Sequence, residues 1–275
     1  MRVKEEKKNK LKAIISHIIC ENPIVFKVIK EASTERYRIF TVQIKEDCDS
    51  WGSKVNCHII LGVGNLEKLF RICKSFNQVY HLQYSFDNRF FTLITNEDLN
   101  IETYDVKESF LENIVFLNGD TDDVAGTLAI HGLAFALYHE LGHVKYDDDS
   151  LSQIEKERSA DNFALEVLYE SCSQKQDIRL EDNPKFLGAF LDNILILLVS
   201  KPEDAEIAVS HPHPIERIYL FLEYFHIKED SFLWEYAYDT IVKWANDNHI
   251  VMTFIKDCSL SIKDKLLDFY HRYKK

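Results

Sequence analysis

Leu137-Tyr-His-Glu-Leu-Gly-His-Val-Lys-Tyr146 is the stretch on which the reading of this chain turns. It closes a longer run, Ala125-Gly-Thr-Leu-Ala-Ile-His-Gly-Leu-Ala-Phe-Ala-Leu137, whose residues are apolar or small nearly all round a helix. Such a segment is expected to be a buried helix. Within it, His139, Glu140 and His143 form H-E-x-x-H. Residues four apart stand one turn above one another on one face, so both imidazoles can reach a single ion at the usual zinc–nitrogen distance of about 2.0–2.1 Å. Glu140 leaves the helix beside them, where a general base for hydrolysis has to stand. Two imidazoles and a carboxylate inside a core are costly unless paired or bound to metal, and that cost favours a metal site over an accident of composition.

A hydrolytic zinc site keeps three protein ligands and leaves a fourth position open. Downstream of His143 the helix reaches Tyr146, breaks at Asp147-Asp-Asp-Ser150 and restarts with Leu151-Ser-Gln-Ile-Glu-Lys-Glu-Arg-Ser-Ala-Asp161. In an antiparallel hairpin a residue six or seven positions into the second helix faces the span between the histidines, which points to Glu157. Asp161, one turn further on, is placed to accept the second ring N–H of a ligating histidine. Ala160 and Ala164 permit close helix contact. Only thirteen residues separate His143 from Glu157, so Glu155 stays open as the competing acid. The three successive aspartates lack EF-hand spacing and read as a solvated turn.

Upstream, β-branched and aromatic residues cluster in Tyr37–Ile44, Val55–Val63, Phe90–Thr95 and Asn113–Leu117, and are expected as strands, with a helix from Asn65 to Phe76 packed on them. Downstream of Gly119 the pattern predicts helices at about 122–146, 151–172, 185–200, 213–226, 231–248 and 262–273. Strands first and helices second is an α+β order, expected as one unit over 1–275 with a strand-rich half to residue 120 and a helical half beyond it.

The 275 residues are 46% apolar and 28% charged, with 8 Gly and 5 Pro, which suits a continuous core and excludes long disordered linkers. A net charge of −12 argues against nucleic acid as a partner. The six cysteines contain no C-x-x-C pair, which fits a reducing, cytoplasmic setting. The most apolar run, Phe186–Val199, is too short to span a bilayer and carries Asp192 and Asn193, so it is expected as a buried helix and no membrane span is expected.

The phrase His139-Glu-Leu-Gly-His143 followed by Glu157-Arg-Ser-Ala-Asp161-Asn-Phe-Ala resembles the Glu-liganded zinc metallopeptidases, or gluzincins. It is similar to HtpX-like peptidases, to the soluble ImmA/IrrE proteases and to Lit-type phage-exclusion peptidases. A second phrase, Ser210-His-Pro-His-Pro-Ile-Glu-Arg-Ile218, looks like the H-P-x-x-x-R-I segment of HtpX-like enzymes, with either His211 or His213 as its histidine. The resemblance implies a zincin-like fold and a zinc ion held by His139, His143 and Glu157. It also implies Glu140 as base, Asp161 as the support of a ligand, and His211 and Arg217 near the reacting carbonyl. A protein or peptide substrate follows from it. Constitutive hydrolysis, a defence protease triggered by a phage or cell partner, and a zincin-fold regulator that does not cleave are the functions to be separated.

Overall fold

The computed structural model describes residues 2–47, 49–83, 90, 93–97, 99–103, 106, 123–173, 179–201, 211–250 and 260–273. Their contacts divide the chain into two compact units, Met1–Asp192 and Asn193–Lys275, and each is described by itself. The architecture is α+β and mostly helical: nine α-helices among the described residues and one small mixed sheet.

The first unit opens with α1 (Arg2–Cys20) and α2 (Pro23–Arg36). The sequence patterning predicts no helix at 23–36, yet the start of α2 carries a plain signal. Asn22 caps it, its Oδ1 accepting from the amides of Ile24 at 3.1 Å and Val25 at 3.3 Å, and Pro23 occupies the first helical turn, where an amide has no partner to lose. Tyr37 ends α2 in the left-handed region with φ 53°, so the strand expected from Tyr37 starts only at Phe40.

The sheet comprises β1 (Phe40–Lys45), β2 (Trp51–Ser53), β3 (His58–Gly62) and β4 (Leu99–Thr103), in the order β2-β3-β1-β4. β1 runs parallel to β3 and β4, with Val42 opposite both Ile59 and Ile101, while β2 pairs antiparallel with β3. Phe40, Val42, Ile44, Ile59 and Leu61 are fully buried on one face, as the two-residue period of a half-covered sheet requires. α3 (Leu66–Tyr80) follows β3, burying Leu66, Leu69, Phe70, Cys73 and Phe76.

The expected strand at Phe90–Thr95 is corrected. Phe90 lies in a helical turn, its ring edge-on to His17 and His131, and the Ile94 amide donates to the Ser16 hydroxyl at 3.1 Å instead of joining a ladder. The place beside β1 is taken by Leu99–Thr103. Asn113–Leu117 lies outside the described residues.

α4 (Asp123–Lys145) runs through the middle of the first unit, against α2, α3, β2 and α5 (Gln153–Ser173). Leu128, Ala129, Ile130, Leu137 and Leu141 have no exposed surface, and burying each Leu or Ile contributes roughly 1.5–3 kcal/mol relative to exposure. α6 (Pro184–Val199) is the expected buried helix, with Phe186, Leu187, Phe190 and Leu191 fully covered. No helix among the described residues is long and apolar enough to cross a membrane.

The second unit contains α7 (Pro214–Tyr224), α8 (Phe232–Asp247) and α9 (Ile262–Tyr273). Their apolar sides meet around Ile218, Phe221, Trp234 and Ile241, and Trp234 donates its indole N–H to the Ile227 carbonyl at 3.2 Å.

Candidate metal centre

α4 and α5 form the antiparallel hairpin that the sequence suggests, and their contact is close because Gly142 faces Ala160. A Cβ at residue 142 would stand 2.6 Å from the Ala160 Cα, nearer than real Cβ contacts come, so only glycine lets the backbones approach this far. That approach brings Glu157 on α5 to the two histidines on α4.

Glu157 Oε2 lies 3.3 Å from His139 Nε2 and Oε1 lies 3.4 Å from His143 Nε2, while the two ring nitrogens are 3.1 Å apart. Ligands placed tetrahedrally around an ion at about 2.0–2.1 Å are separated by about 3.3–3.4 Å, and the three separations are near that length, the two to Glu157 being made by different oxygens of its carboxylate. Two imidazole nitrogens and one carboxylate oxygen are a donor set that zinc accepts. His139, His143 and Glu157 thus form a possible metal-binding triad.

Electrostatics agree with the geometry. Glu157 is 3% exposed, and a carboxylate so buried needs positive charge or strong hydrogen bonds beside it. Nδ1 of His139 stands 2.9 Å from Asp161 Oδ1. When Nδ1–H donates to that carboxylate, the lone pair is left on Nε2, the nitrogen that faces Glu157 and His143. Gln153, one turn before Glu157, donates its amide to Glu157 Oε1 at 3.2 Å. Gln153 lies outside the phrases that mark the site in the sequence, although the i, i+4 spacing of the two histidines also relates it to Glu157.

Glu155 belongs to a different arrangement. Residues two apart on a helix point about 200° apart, so a helix that turns 157 toward α4 turns 155 away. Its Oε2 accepts from the Ser152 hydroxyl at 2.5 Å and the Ser152 amide at 2.8 Å, one half of a capping box at the start of α5. Those two bonds, the hydroxyl first, hold its carboxyl below the ordinary value. The aspartate turn is likewise local, with Asp148 Oδ1 accepting from the Ser150 amide at 2.8 Å.

Glu140 is 7% exposed. Its carbonyl touches β2, where a Cβ at Gly52 would stand 2.3 Å from Glu140 O. The edge strand of the sheet therefore rests on the helix at the residue between the histidines, a proximity that no local sequence pattern announces. Tyr138 is buried, and burial pushes its phenol up to about 12 despite a hydrogen bond with Asn22. It packs toward the α1–α2 turn.

His211 and Arg217 belong to the second unit. His211 is exposed, whereas His213 is buried and caps α7, its Nδ1 accepting from the Ile215 amide at 3.1 Å ahead of Pro214.

No curated protein and no solved structure matches the chain. The family model for Peptidase U49 matches residues 90–237, more than half of the sequence and a span that includes α4, α5 and the histidine–proline phrase. On that match the chain belongs to the Peptidase U49 family, and is a peptidase.

Proposed function

We propose that this peptidase is a zinc metallopeptidase of the gluzincin kind, with a zincin-like fold, that hydrolyses peptide bonds in a protein substrate. The observation that carries the reading is the meeting of His139, His143 and Glu157, whose ring nitrogens and carboxylate oxygens approach one another to 3.1–3.4 Å. Bound zinc supplies a Lewis acid that polarises a carbonyl and brings the pKa of water down to about 7. Glu140, held beside the histidines, takes the water's proton and gives it to the departing amine. Asp161 fixes the tautomer and ring orientation of His139.

An extended substrate finds a partner in β2. That strand is at one end of the sheet order, with β3 on one side and no strand among the described residues on the other. Backbone pairing along its free edge draws a peptide across the helix at Glu140. His211 and Arg217 are assigned to stabilising oxyanion charge on the strength of the H-P-x-x-x-R-I phrase alone. A cytoplasmic setting is supported by Cys20, Cys57, Cys73 and Cys172, all free thiols.

The test compares wild type with Glu140→Gln. Both are expected to hold about one zinc per chain by elemental analysis, and only wild type is expected to generate new peptide termini when added to a cell lysate, since losing a general base costs about 10²–10⁴-fold. Cleavage by Glu140→Gln at the wild-type rate removes Glu140 as base. Wild-type protein that binds no metal removes the whole reading. Cleavage that begins only after a phage or cell component is added identifies the triggered form of the same enzyme.

A further inference from the structure

The carboxylate of Glu157 faces the imidazoles with both oxygens, Oε2 at 3.3 Å from His139 Nε2 and Oε1 at 3.4 Å from His143 Nε2, and the number that bind an ion matters. A carboxylate that binds through both oxygens occupies an additional place around the ion. A hydrolytic site needs that place for water and for the substrate's carbonyl. Something must therefore distinguish Oε1 from Oε2.

Gln153 does so by position. It opens α5 directly after Ser152 and shares a helix face with Glu157, one turn ahead of it. Although Gln153 is itself exposed, its Nε2 reaches in to donate to Oε1 at 3.2 Å. Oε2, the oxygen 3.3 Å from His139 Nε2, receives no bond from Gln153. A glutamine suits this task chemically. Its amide donates one hydrogen bond without bringing a positive charge that would compete with a cation, and it cannot itself become an anionic ligand.

We infer that Gln153 is a positioning residue of the metal centre, holding Oε1 of Glu157 so that Oε2 is the single oxygen offered to the ion. The inference rests on the metallopeptidase reading and extends it to a residue outside the H-E-x-x-H and E-x-x-A-D phrases. Gln153 touches neither the substrate nor the ion; it acts through Glu157.

The experiment uses the full chain stripped of metal and reloaded with zinc or cobalt, in wild type, Gln153→Met and Gln153→Lys. Methionine keeps the length and removes the donor, while lysine restores a donor of comparable reach. Gln153→Met is expected to fold as wild type does, because the position is exposed, and to bind zinc about tenfold more weakly, at the lower end of what loss of a supporting hydrogen bond costs a metal site. Its cobalt form is expected to absorb more weakly in the visible than the wild-type form, the mark of a carboxylate that has swung to bind through both oxygens. Gln153→Lys is expected to recover the wild-type cobalt spectrum, even where its charge lowers affinity. A merely structural role for residue 153 would leave the spectrum of the folded protein unmoved. Identical zinc affinity and cobalt spectra in wild type and Gln153→Met overturn the inference while leaving the metallopeptidase intact. Wild type that takes up neither metal overturns the reading beneath it.

Discussion

Along α4, the stretch before Leu137 and the stretch after it are both buried, yet they meet their neighbours through different chemistry. Before Leu137 the contacts are apolar and close: Leu128, Ala129 and Ile130 are fully covered, and α6 approaches so nearly that a Cβ on Gly132 would stand 2.9 Å from the Gly188 carbonyl. After it, the same closeness at Gly142 serves to bring together charged and ring groups, His139, His143, Glu157 and Asp161. The first half is stabilised mainly by packing, whereas the second puts several polar groups out of water side by side and stays favourable only while each is matched. Substitutions in the two halves should differ in kind as well as in size.

The largest effect is expected at His139. Replacing it with alanine removes an imidazole 3.3 Å from a carboxylate that is 3% exposed and, on the proposed function, one ligand of the zinc. Losing the metal from one side of the site leaves the buried Glu157 carboxylate uncompensated, which costs about 3–5 kcal/mol. Urea unfolding of zinc-loaded protein should show a loss in that range, and a chelator should lower the melting temperature of wild type while leaving His139→Ala unchanged. Undiminished zinc content and stability in the variant would show that His139 does not hold the metal.

Paired glycine substitutions sharpen the comparison at intermediate size. Gly142→Ala forces a methyl to within 2.6 Å of the Ala160 Cα, and Gly132→Ala forces one to within 2.9 Å of the Gly188 carbonyl and 2.8 Å of Leu69 Cδ2. Overpacking of this kind costs about 1–3 kcal/mol, offset in part by the roughly 1 kcal/mol that alanine gains over glycine inside a helix. Both variants should lose stability. Only Gly142→Ala should also lose zinc affinity, because the helix it displaces carries Glu157. Equal zinc affinity in the two, measured by competition with a chromogenic chelator, would detach the close crossing from the metal centre.

The same contrast explains what was legible in the sequence. Helices in the second half of the chain could be placed to within a few residues, because their caps and apolar faces are local: Pro214 and Ser231 begin α7 and α8 where composition suggests they should. The meeting of His139, His143 and Glu157 was legible too, since H-E-x-x-H and the acid on the next helix depend on helical spacing and one short turn. The sheet was harder. Phe90 looks like strand material, but its ring is wanted between two imidazoles, and Leu99–Thr103, with less apolar character, takes the ladder beside β1. Pairing partners are chosen by long-range contact, which patterning along one segment does not contain. The resting of Gly52 on Glu140 was invisible for that reason, as nearly ninety residues separate them in sequence.

The smallest effect separates two acids that are almost adjacent. Glu157 is buried and faces the imidazoles, whereas Glu155 is exposed and bonded to Ser152. Glu155's carboxyl is held below its ordinary value of 4.5, chiefly by the Ser152 hydroxyl and then by the Ser152 amide. A folded value below the unfolded one means that this contact stabilises fully above the unfolded value and fades as pH falls through the lower folded value. In Ser152→Ala the hydroxyl is gone and the amide remains, so an NMR titration should find the Glu155 pKa moved up toward 4.5 without reaching it, while zinc affinity at neutral pH stays at the wild-type value. A fall in zinc affinity would mean that the cap and the metal centre are one unit, and that the division of work between residues 155 and 157 does not hold.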